Sequence, residues 1–258
     1  MRADPLTPGT PNDPDARYEQ AFATFLAHTD QKRKARAHLD RVVAGLPHRR
    51  VLLDAGAGDG GTTAHLSGKF SRTIAIEPNP RLRTRLARRV PRALLLGRTI
   101  LDARPPEEAD LVLCAHVLYH VPADQWPAHL RRLASWTTPE GACLVVLQNQ
   151  DSDSMRMLRH FGGSTPDLVS ILEGQPTGTG VDIVSVDTVE AHVRTPDLAT
   201  VVEVASFMLA HLPAAPAPEQ VEQYARAHFA AADGGYAFSC TQDVVRISQP
   251  RTGQENPA

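Results

Sequence analysis

The sequence predicts an α/β protein built on a parallel sheet, and three observations carry that expectation. Val51–Gly61 reads VLLDAGAGDGG, an apolar run that ends in an acid and a glycine-rich turn. That is the pattern of a buried strand opening into a helix. Apolar runs recur at Thr73–Ile76, Ala93–Leu96, Asp110–Cys114 and Gly141–Gln148, with helical segments at Thr62–Lys69, Arg81–Arg89 and Gln125–Ser135 among them. Strands alternating with helices imply right-handed crossovers and parallel pairing. Finally, 258 residues with 42% hydrophobic and 22% charged content suit a soluble globular domain.

In chain order, residues 1–16 carry Pro5, Pro8, Pro11 and Pro14 and almost no apolar side chain, the composition of a disordered tail. Tyr18, Phe22, Phe25, Leu26, Leu39, Val42 and Val43 recur at helical spacing until Gly45 and Pro47 stop the pattern. This predicts one or two amphipathic helices ahead of the first strand. The cluster Lys32, Arg33, Lys34 and Arg36, like the arginines of Arg81–Arg89, reads as a solvated helix face. Beyond the fifth strand, short helices are expected at Ser152–Phe161 and Pro166–Leu172, then a Gly/Thr linker at Gly174–Gly180. Asp182–Val193 alternates β-branched residues and predicts a long strand. Thr195-Pro196-Asp197 predicts a helix start with Thr195 as N-cap and Pro196 at the first helical position, the helix running to about His211. A second helix is expected near Glu219–Ala231 and a last strand at Tyr236–Ile247, followed by a loose tail over 249–258. The expectation is one domain over 17–248, with helical insertions at about 151–180 and 195–235.

The composition also bounds the function. Lys plus Arg total 27 and Asp plus Glu 29, a net charge of −2 that argues against a nucleic-acid partner. Cys114, Cys143 and Cys240 are far apart and show no metal spacing. No apolar run approaches a membrane span, and the Pro- and Asp-rich start is not a secretory signal, so a cytoplasmic location is expected.

The glycine turn carries the chemistry. Glycines adopt dihedrals closed to other residues and let a ligand lie against bare main chain. The helix that follows points its free amides at that ligand. Glu77, ending the second strand, stands close to the spacing expected for a ribose-binding acid, whose carboxylate accepts from both hydroxyls. Dinucleotide dehydrogenases use the same logic with Gly-x-Gly-x-x-Gly. Here Gly56, Gly58 and Gly60 alternate and Asp54 leads them.

Asp54-x-Gly56-x-Gly58-x-Gly60 with Glu77 resembles the class I S-adenosylmethionine (SAM) dependent methyltransferases, over roughly residues 48–150. The resemblance implies a Rossmann-like, seven-stranded, mostly parallel sheet whose last strand is antiparallel, with N-terminal helices and a helical lid inserted before that strand. It implies SAM as cofactor and no metal. Asp54 and Gly56 would line its methionine end, Gly58 would let it approach and Glu77 would hold its ribose. Ala57, Gly60, Pro78 and Ala115 join this set. The family often has an acid after the third strand, near the adenine. Here Thr99 would supply a polar contact and Ile100 would pack on the ring, with Asp102 as a further candidate.

The flanks resemble histamine N-methyltransferase-like proteins. Tyr18–Gln31, YEQAFATFLAHTDQ, is similar to their Tyr-x-x-x-Phe-x-x-Phe-Leu helix, and HVLYHV to their Gln-x-Leu-Tyr-Tyr-Val. DSDSMRMLRHFG resembles their polar loop and short helix. On this resemblance Tyr18, Phe22, Gln31, His116, Tyr119 and His120 would face the substrate. His116 stands where that family has glutamine, His120 where it has a second tyrosine, and Gln31 where it has an acid, with Asp30 adjacent. Cys240 falls near its asparagine. These departures undercut histamine itself as substrate and leave the reaction type intact.

Methyl transfer from a sulfonium is an in-line displacement that needs an unprotonated nucleophile and exclusion of water. Histidine titrates near neutral pH, so His116 and His120, beyond the fourth strand, are the candidate bases. Both also fit as strand-end packing. That edge of the sheet is where ligands bind in open α/β folds. An enclosing lid suits a small molecule. The segment CAHVLYHV lacks the Asn/Asp-Pro-Pro-aromatic motif of base methylation. The expected function is methyl transfer from SAM to a small-molecule amine or imidazole nitrogen, in specialised metabolism. Transfer to oxygen, carbon or a peptide terminus, and SAM binding without transfer, stand as alternatives. The oligomeric state is open.

Overall fold

A computed structural model describes residues 14–173, 180–210 and 212–250, with side chains from residue 20 onward. Its strands are β1 (Val51–Ala55), β2 (Arg72–Ile76), β3 (Leu94–Leu96), β4 (Ala109–Ala115), β5 (Thr137–Gln148), β6 (Asp182–Val189), β7 (His192–Thr195), β8 (Tyr236–Ser239) and β9 (Gln242–Ser248). The helices are α1 (Pro14–His28), α2 (Gln31–Ala44), α3 (Gly61–Ser67), α4 (Pro80–Arg89), α5 (Trp126–Ala134), α6 (Asp153–His160), α7 (Leu168–Glu173), α8 (Leu198–Leu209) and α9 (Pro218–His228).

The chain divides into two compact units. One gathers Arg33–Asn149, Pro166–Val189 and Gln242–Ala258. It holds a seven-stranded sheet in the order β3-β2-β1-β4-β5-β9-β6. β1 pairs in parallel with β2 and β4, β2 with β3, and β4 with β5, whereas β9 runs antiparallel to both β5 and β6. This is the Rossmann-like, mostly parallel sheet that the sequence predicts, with the last strand antiparallel.

Central strands read as continuous apolar runs because both of their faces are buried. Leu53, Val112, Cys114 and Val145 pack on one face with Trp126, Leu130 and Leu133 of α5. Leu52, Leu113, Leu144 and Val146 pack on the other with Leu39 and Val43 of α2 and Leu66 of α3. Cys114 and Cys143 are free, buried thiols; burial pushes the Cys143 thiol up to about 12.

The other unit gathers Met1–Lys32, Gln150–Thr165 and Glu190–Thr241. β7 and β8 form a two-stranded antiparallel sheet, and Phe25, Val193, Val201, Val204, Phe229 and Phe238 belong to its own core.

Several bounds differ from expectation. α1 takes in Pro14–Ala16, which the sequence assigned to the tail. The two expected long strands are each split. Asp182–Val193 becomes β6 and β7, and Tyr236–Ile247 becomes β8 and β9. The alternation runs through both breaks, so its period could not reveal them. The amide of Cys240 donates to the carbonyl of Ala191 at 2.8 Å where the strands part.

Thr195 is not the N-cap of α8. It belongs to β7, opposite Tyr236, and the cap is Asp197, whose carboxylate accepts from the Thr200 amide and hydroxyl at 2.8 Å each. A strand residue is already extended and paired, so the next acceptor along the chain caps the helix. That helix ends at Leu209, two residues before His211, which lies outside the described residues. Residues 1–13 of the expected tail, 174–179 of the expected linker and 251–258 of the C-terminal tail also lie outside them. No helix among the described residues is long and apolar enough to cross a membrane.

Candidate active site

β1 delivers Asp54 and the glycine turn to the carboxyl edge of the parallel strands. Gly56, Gly58 and Gly60 have φ of +83°, +58° and +84°, the left-handed region that favours glycine. A Cβ on Gly56 would lie 2.3 Å from Val117 Cγ2, and one on Gly60 would lie 2.6 Å from Leu86 Cδ1. A Cβ on Gly58 would meet nothing within 4 Å. Packing therefore requires the outer two glycines, while the middle one borders space that the protein does not fill. A ligand can approach the bare main chain there.

The turn is tied to the second strand. The amides of Gly56 and Ala57 donate to the carbonyl of Ile76 at 2.8 and 3.0 Å. The Gly58 amide donates to Glu77 Oε2 at 2.8 Å, across nineteen residues, and the Asn79 amide to Glu77 Oε1 at 2.8 Å. Glu77 is buried, and its own amide donates to the carbonyl of Leu96 at the end of β3. A carboxylate has about four acceptor sites, so two amides leave capacity for hydroxyl donors.

Asp54 is 3% exposed and accepts from Thr63 Oγ1 at 2.6 Å. Burial pushes its carboxyl up to about 6; the Thr63 hydroxyl opposes the rise and the charge of Glu77 adds to it. Pro78 is exposed, and its carbonyl accepts from Arg83 at 3.1 Å. Past β3, Ile100 is 6% exposed within the sheet unit's core, and the Thr99 hydroxyl donates to Asp102 Oδ2 at 2.6 Å. Thr99 and Asp102 thus bond each other in an exposed turn.

Ala115 closes β4, and the chain then takes an unusual step. His116 has φ of +57°, the one positive φ at a non-glycine among the described residues. A left-handed non-glycine costs about 1–3 kcal/mol and persists only where its surroundings hold it. Here its amide donates to the carbonyl of Val146 at 2.9 Å. Its Nε2 lies 2.6 Å from the side-chain nitrogen of Gln242, at the start of β9. Gln242 is 3% exposed, and its Oε1 is buried with no hydrogen-bond partner among the described residues. An unsatisfied buried acceptor costs about 1–3 kcal/mol. Two local costs therefore meet in one contact.

Tyr119 stacks on His116 with centroids 6.0 Å apart, and its hydroxyl accepts from the Gln148 amide. The residue is 41% exposed, yet burial around the hydroxyl pushes the phenol above its usual value. His120 is exposed, in a 3-10 turn over Leu118–His120. The buried Trp126 pins that turn by donating to the carbonyls of Leu118 and Val121. Val117, against Gly56, brings the glycine turn and this loop together.

Three predicted site residues belong to the other unit. Tyr18 lies in α1, with its side chain outside the described residues. The Phe22 ring stacks on Phe25 at 6.5 Å and lies tilted against Phe207 at 5.6 Å, with the Lys32 ammonium 4.8 Å from its ring centroid. Gln31 is buried and donates to the carbonyl of Cys240 at 2.7 Å. Sequence reasoning missed Thr63, Gln148 and Gln242. Thr63 follows the glycine motif closely enough to have been noticed. Gln242 lies 126 residues from His116, and no local pattern marks it.

The pattern of a family described as Methyltransferase domain matches residues 26–174, over half of the chain. The chain belongs to this methyltransferase family. No curated protein matches it. The methyltransferase shares its fold with the N-methyltransferase NodS from Bradyrhizobium japonicum WM9, at 15% identity, 85% coverage of this chain, 97% of that one and a TM-score of 0.53. A putative type II methyltransferase from Anaeromyxobacter dehalogenans gives 21%, 83%, 95% and 0.53. The DhpI complex with S-adenosylhomocysteine (SAH) gives 25%, 67%, 85% and 0.50. The methyltransferase is SAM-dependent and belongs to class I by its sheet. The open space at Gly58, beside an acid with spare acceptor capacity, fits that cofactor.

Proposed function

We propose that this methyltransferase acts on a small molecule and methylates an amine or imidazole nitrogen. The observation that carries the reading is His116. An imidazole stands at the carboxyl end of β4, held in a left-handed backbone and gripped by Gln242. An ammonium substrate must lose its proton before its lone pair can react, and an imidazole is suited to take it. SAM, when bound, supplies a methyl group already activated on a sulfonium. The chain's own part is to bind, orient and accept a proton. Asp54, Gly56 and Ala57 line the methionine end, Gly58 keeps the main chain open to the cofactor, Gly60 shapes the turn by letting it pack on Leu86, and Glu77 with Pro78 holds the ribose. Ala115 borders the donor, and Thr99 and Ile100 serve the adenine side. Tyr119, stacked on His116, faces substrate, and His120 is a second, more exposed candidate base. The resemblance to histamine N-methyltransferase-like proteins supports nitrogen as acceptor and keeps Tyr18, Phe22 and Gln31 as candidate substrate contacts.

The test is SAH release from SAM across a panel of amines, imidazoles, phenols, carboxylates and short peptides, with mass spectrometry of each product. SAH formed one-for-one with an N-methylated product is expected. Methylation at oxygen or carbon alone would remove the nitrogen assignment. SAM binding without turnover on any acceptor would favour a binding role.

A further inference from the structure

α4 carries more charge than a solvated face needs. Residues 78–101 hold seven arginines and no Asp or Glu. We propose that the outer face of α4 docks an acidic helix of a partner protein. Arg81, Arg85 and Arg88 stand at i, i+4 and i+7, exposed on one face of the helix, and Arg92 is exposed just past its end. The opposite face is fixed. Leu86 and Val90 form a buried cluster with Ala75 of β2, and Asn79 caps the first turn by accepting from the Arg81 and Leu82 amides. The stripe therefore rides on a rigid element. Two further arginines are bound within the fold: Arg83 donates to the carbonyls of Glu77 and Pro78, and Arg89 pairs with Asp59 at 2.7 Å. The guanidinium groups of Arg88 and Arg92 take no partner among the described residues. Arg36 of α2 widens the patch. Its side chain donates to the Gly61 carbonyl at 3.2 Å, and a Cβ on Gly61 would lie 3.4 Å from Arg89 Nη1.

Solvation alone does not call for this pattern. Like charges at i and i+4 destabilise a helix, whereas interleaved glutamates stabilise it. α4 bears the repulsion at Arg81–Arg85 and Arg85–Arg89, with no acid along its length. Carboxylates supplied from outside relieve it. All seven residues are arginine, whose planar fork takes a carboxylate through two parallel hydrogen bonds. The three stripe arginines are separated by about 6 and 4.5 Å along the axis, the spacing of acids at i, i+4 and i+7 on a second helix. Charge complementarity also admits a nucleic acid or an anionic membrane, and two observations favour the protein. Residues 71–118 contain no Phe, Tyr or Trp, so the patch offers no platform on which bases stack. Outside residues 78–101 the chain holds 20 Lys and Arg against 29 Asp and Glu. A long polyanion or a bilayer extends past the stripe and meets that acidic remainder, whereas a short acidic helix does not. Arg81 lies four residues after Glu77, so the stripe begins at the carboxyl edge of the parallel strands and runs away from it.

The test uses the full chain and a fluorescein-labelled helical peptide of alanine and glutamine with Glu at i, i+4 and i+7, followed by anisotropy at low ionic strength. Saturable binding is expected, weakened by salt and about threefold or more tighter than to a peptide of the same composition whose glutamates are spread round the helix. Arg85→Glu combined with Arg88→Glu should weaken it about tenfold or more. Arg49→Glu combined with Arg194→Glu makes the same change in net charge at exposed arginines outside the patch and should weaken it less than about twofold. Circular dichroism shows whether each variant is folded. Arg92→Glu, beyond the end of the helix, decides if the α4 pair fails to fold, with an expected loss of about threefold or more. Equal losses in the two pairs would reduce the binding to net charge and overturn the proposal, as would the lack of saturable binding. A single-stranded oligonucleotide, or vesicles of anionic phospholipid, binding more tightly than the peptide and losing that binding in the α4 pair would overturn the protein occupant and reassign the face.

Discussion

Asp54 and Asp110 act at opposite ends of β1 and respond to acid in opposite directions. Asp110, near the start of β4, is buried against the first amides of β1. Burial alone would raise its pKa, but the Arg50 side chain and the Val51 and Arg50 amides outweigh it and hold the carboxyl low. Its contribution is present above the unfolded carboxylate range and is lost as pH falls through the folded value. Asp54 is raised to about 6, so the folded state binds its proton more tightly than the unfolded chain does. The cost of keeping it ionised is full above about 6 and is relieved as pH falls towards the unfolded value. Asp54→Asn cannot ionise. Relative to wild type it should be more favourable at pH 7.5 than at pH 4.5, by about 1–3 kcal/mol. Urea denaturation of both proteins at both pH values measures this, and a difference independent of pH would mean that Asp54 is not raised. Glu77→Ala removes the acceptor of the Gly58 and Asn79 amides and should weaken SAM binding at least tenfold by titration calorimetry. Both acids were legible in the sequence because the glycine turn and the acid after the next strand form a local, spaced pattern. Gln242 was not, since only the folded sheet brings the start of β9, across β5, within reach of the residue after β4.

At the scale of elements, helices such as α4 and α5 were read to within a residue of their bounds. The exceptions lie where two signals compete. Thr195 and Asp197 both suit an N-cap, and the tie is broken by β7, which claims Thr195 for pairing with Tyr236. Substitution therefore separates the two. Asp197→Ala should lower Tm by about 2–4 °C by freeing the Thr200 amide, and Asp197→Asn, which keeps an acceptor, should lower it less. Thr195→Ser keeps the strand and should leave α8 intact. Equal losses in Asp197→Ala and Asp197→Asn would mean that the cap bond contributes little. The split of both long strands follows the same logic. Alternation reports which face a residue takes, but it is silent on which sheet the strand joins.

At the scale of the molecule, the alternation of strand and helix was enough to foresee the parallel sheet, because the apolar runs of its central strands are buried on both faces. The division into two compact units was not foreseen. The helical unit draws on three separated stretches of chain, and an apolar stripe does not say which core it enters. Each unit nevertheless buries its own apolar cluster, and this can be tested. Phe238 is buried in the helical unit and stacks on Phe229 at 4.5 Å. Phe238→Ala should cost about 3–5 kcal/mol by leaving a cavity there. If that cost falls on its own unit, hydrogen exchange should quicken first at amides of β7, β8, α8 and α9. The central strands β1, β4 and β5, whose core side chains are different, should keep their protection. SAH should still raise the temperature at which those strands unfold, because the glycine turn and Glu77 belong to the sheet unit. Uniform quickening in both sets of amides would mean that the two clusters unfold as one cooperative body, and the SAH shift would then fall together with overall stability.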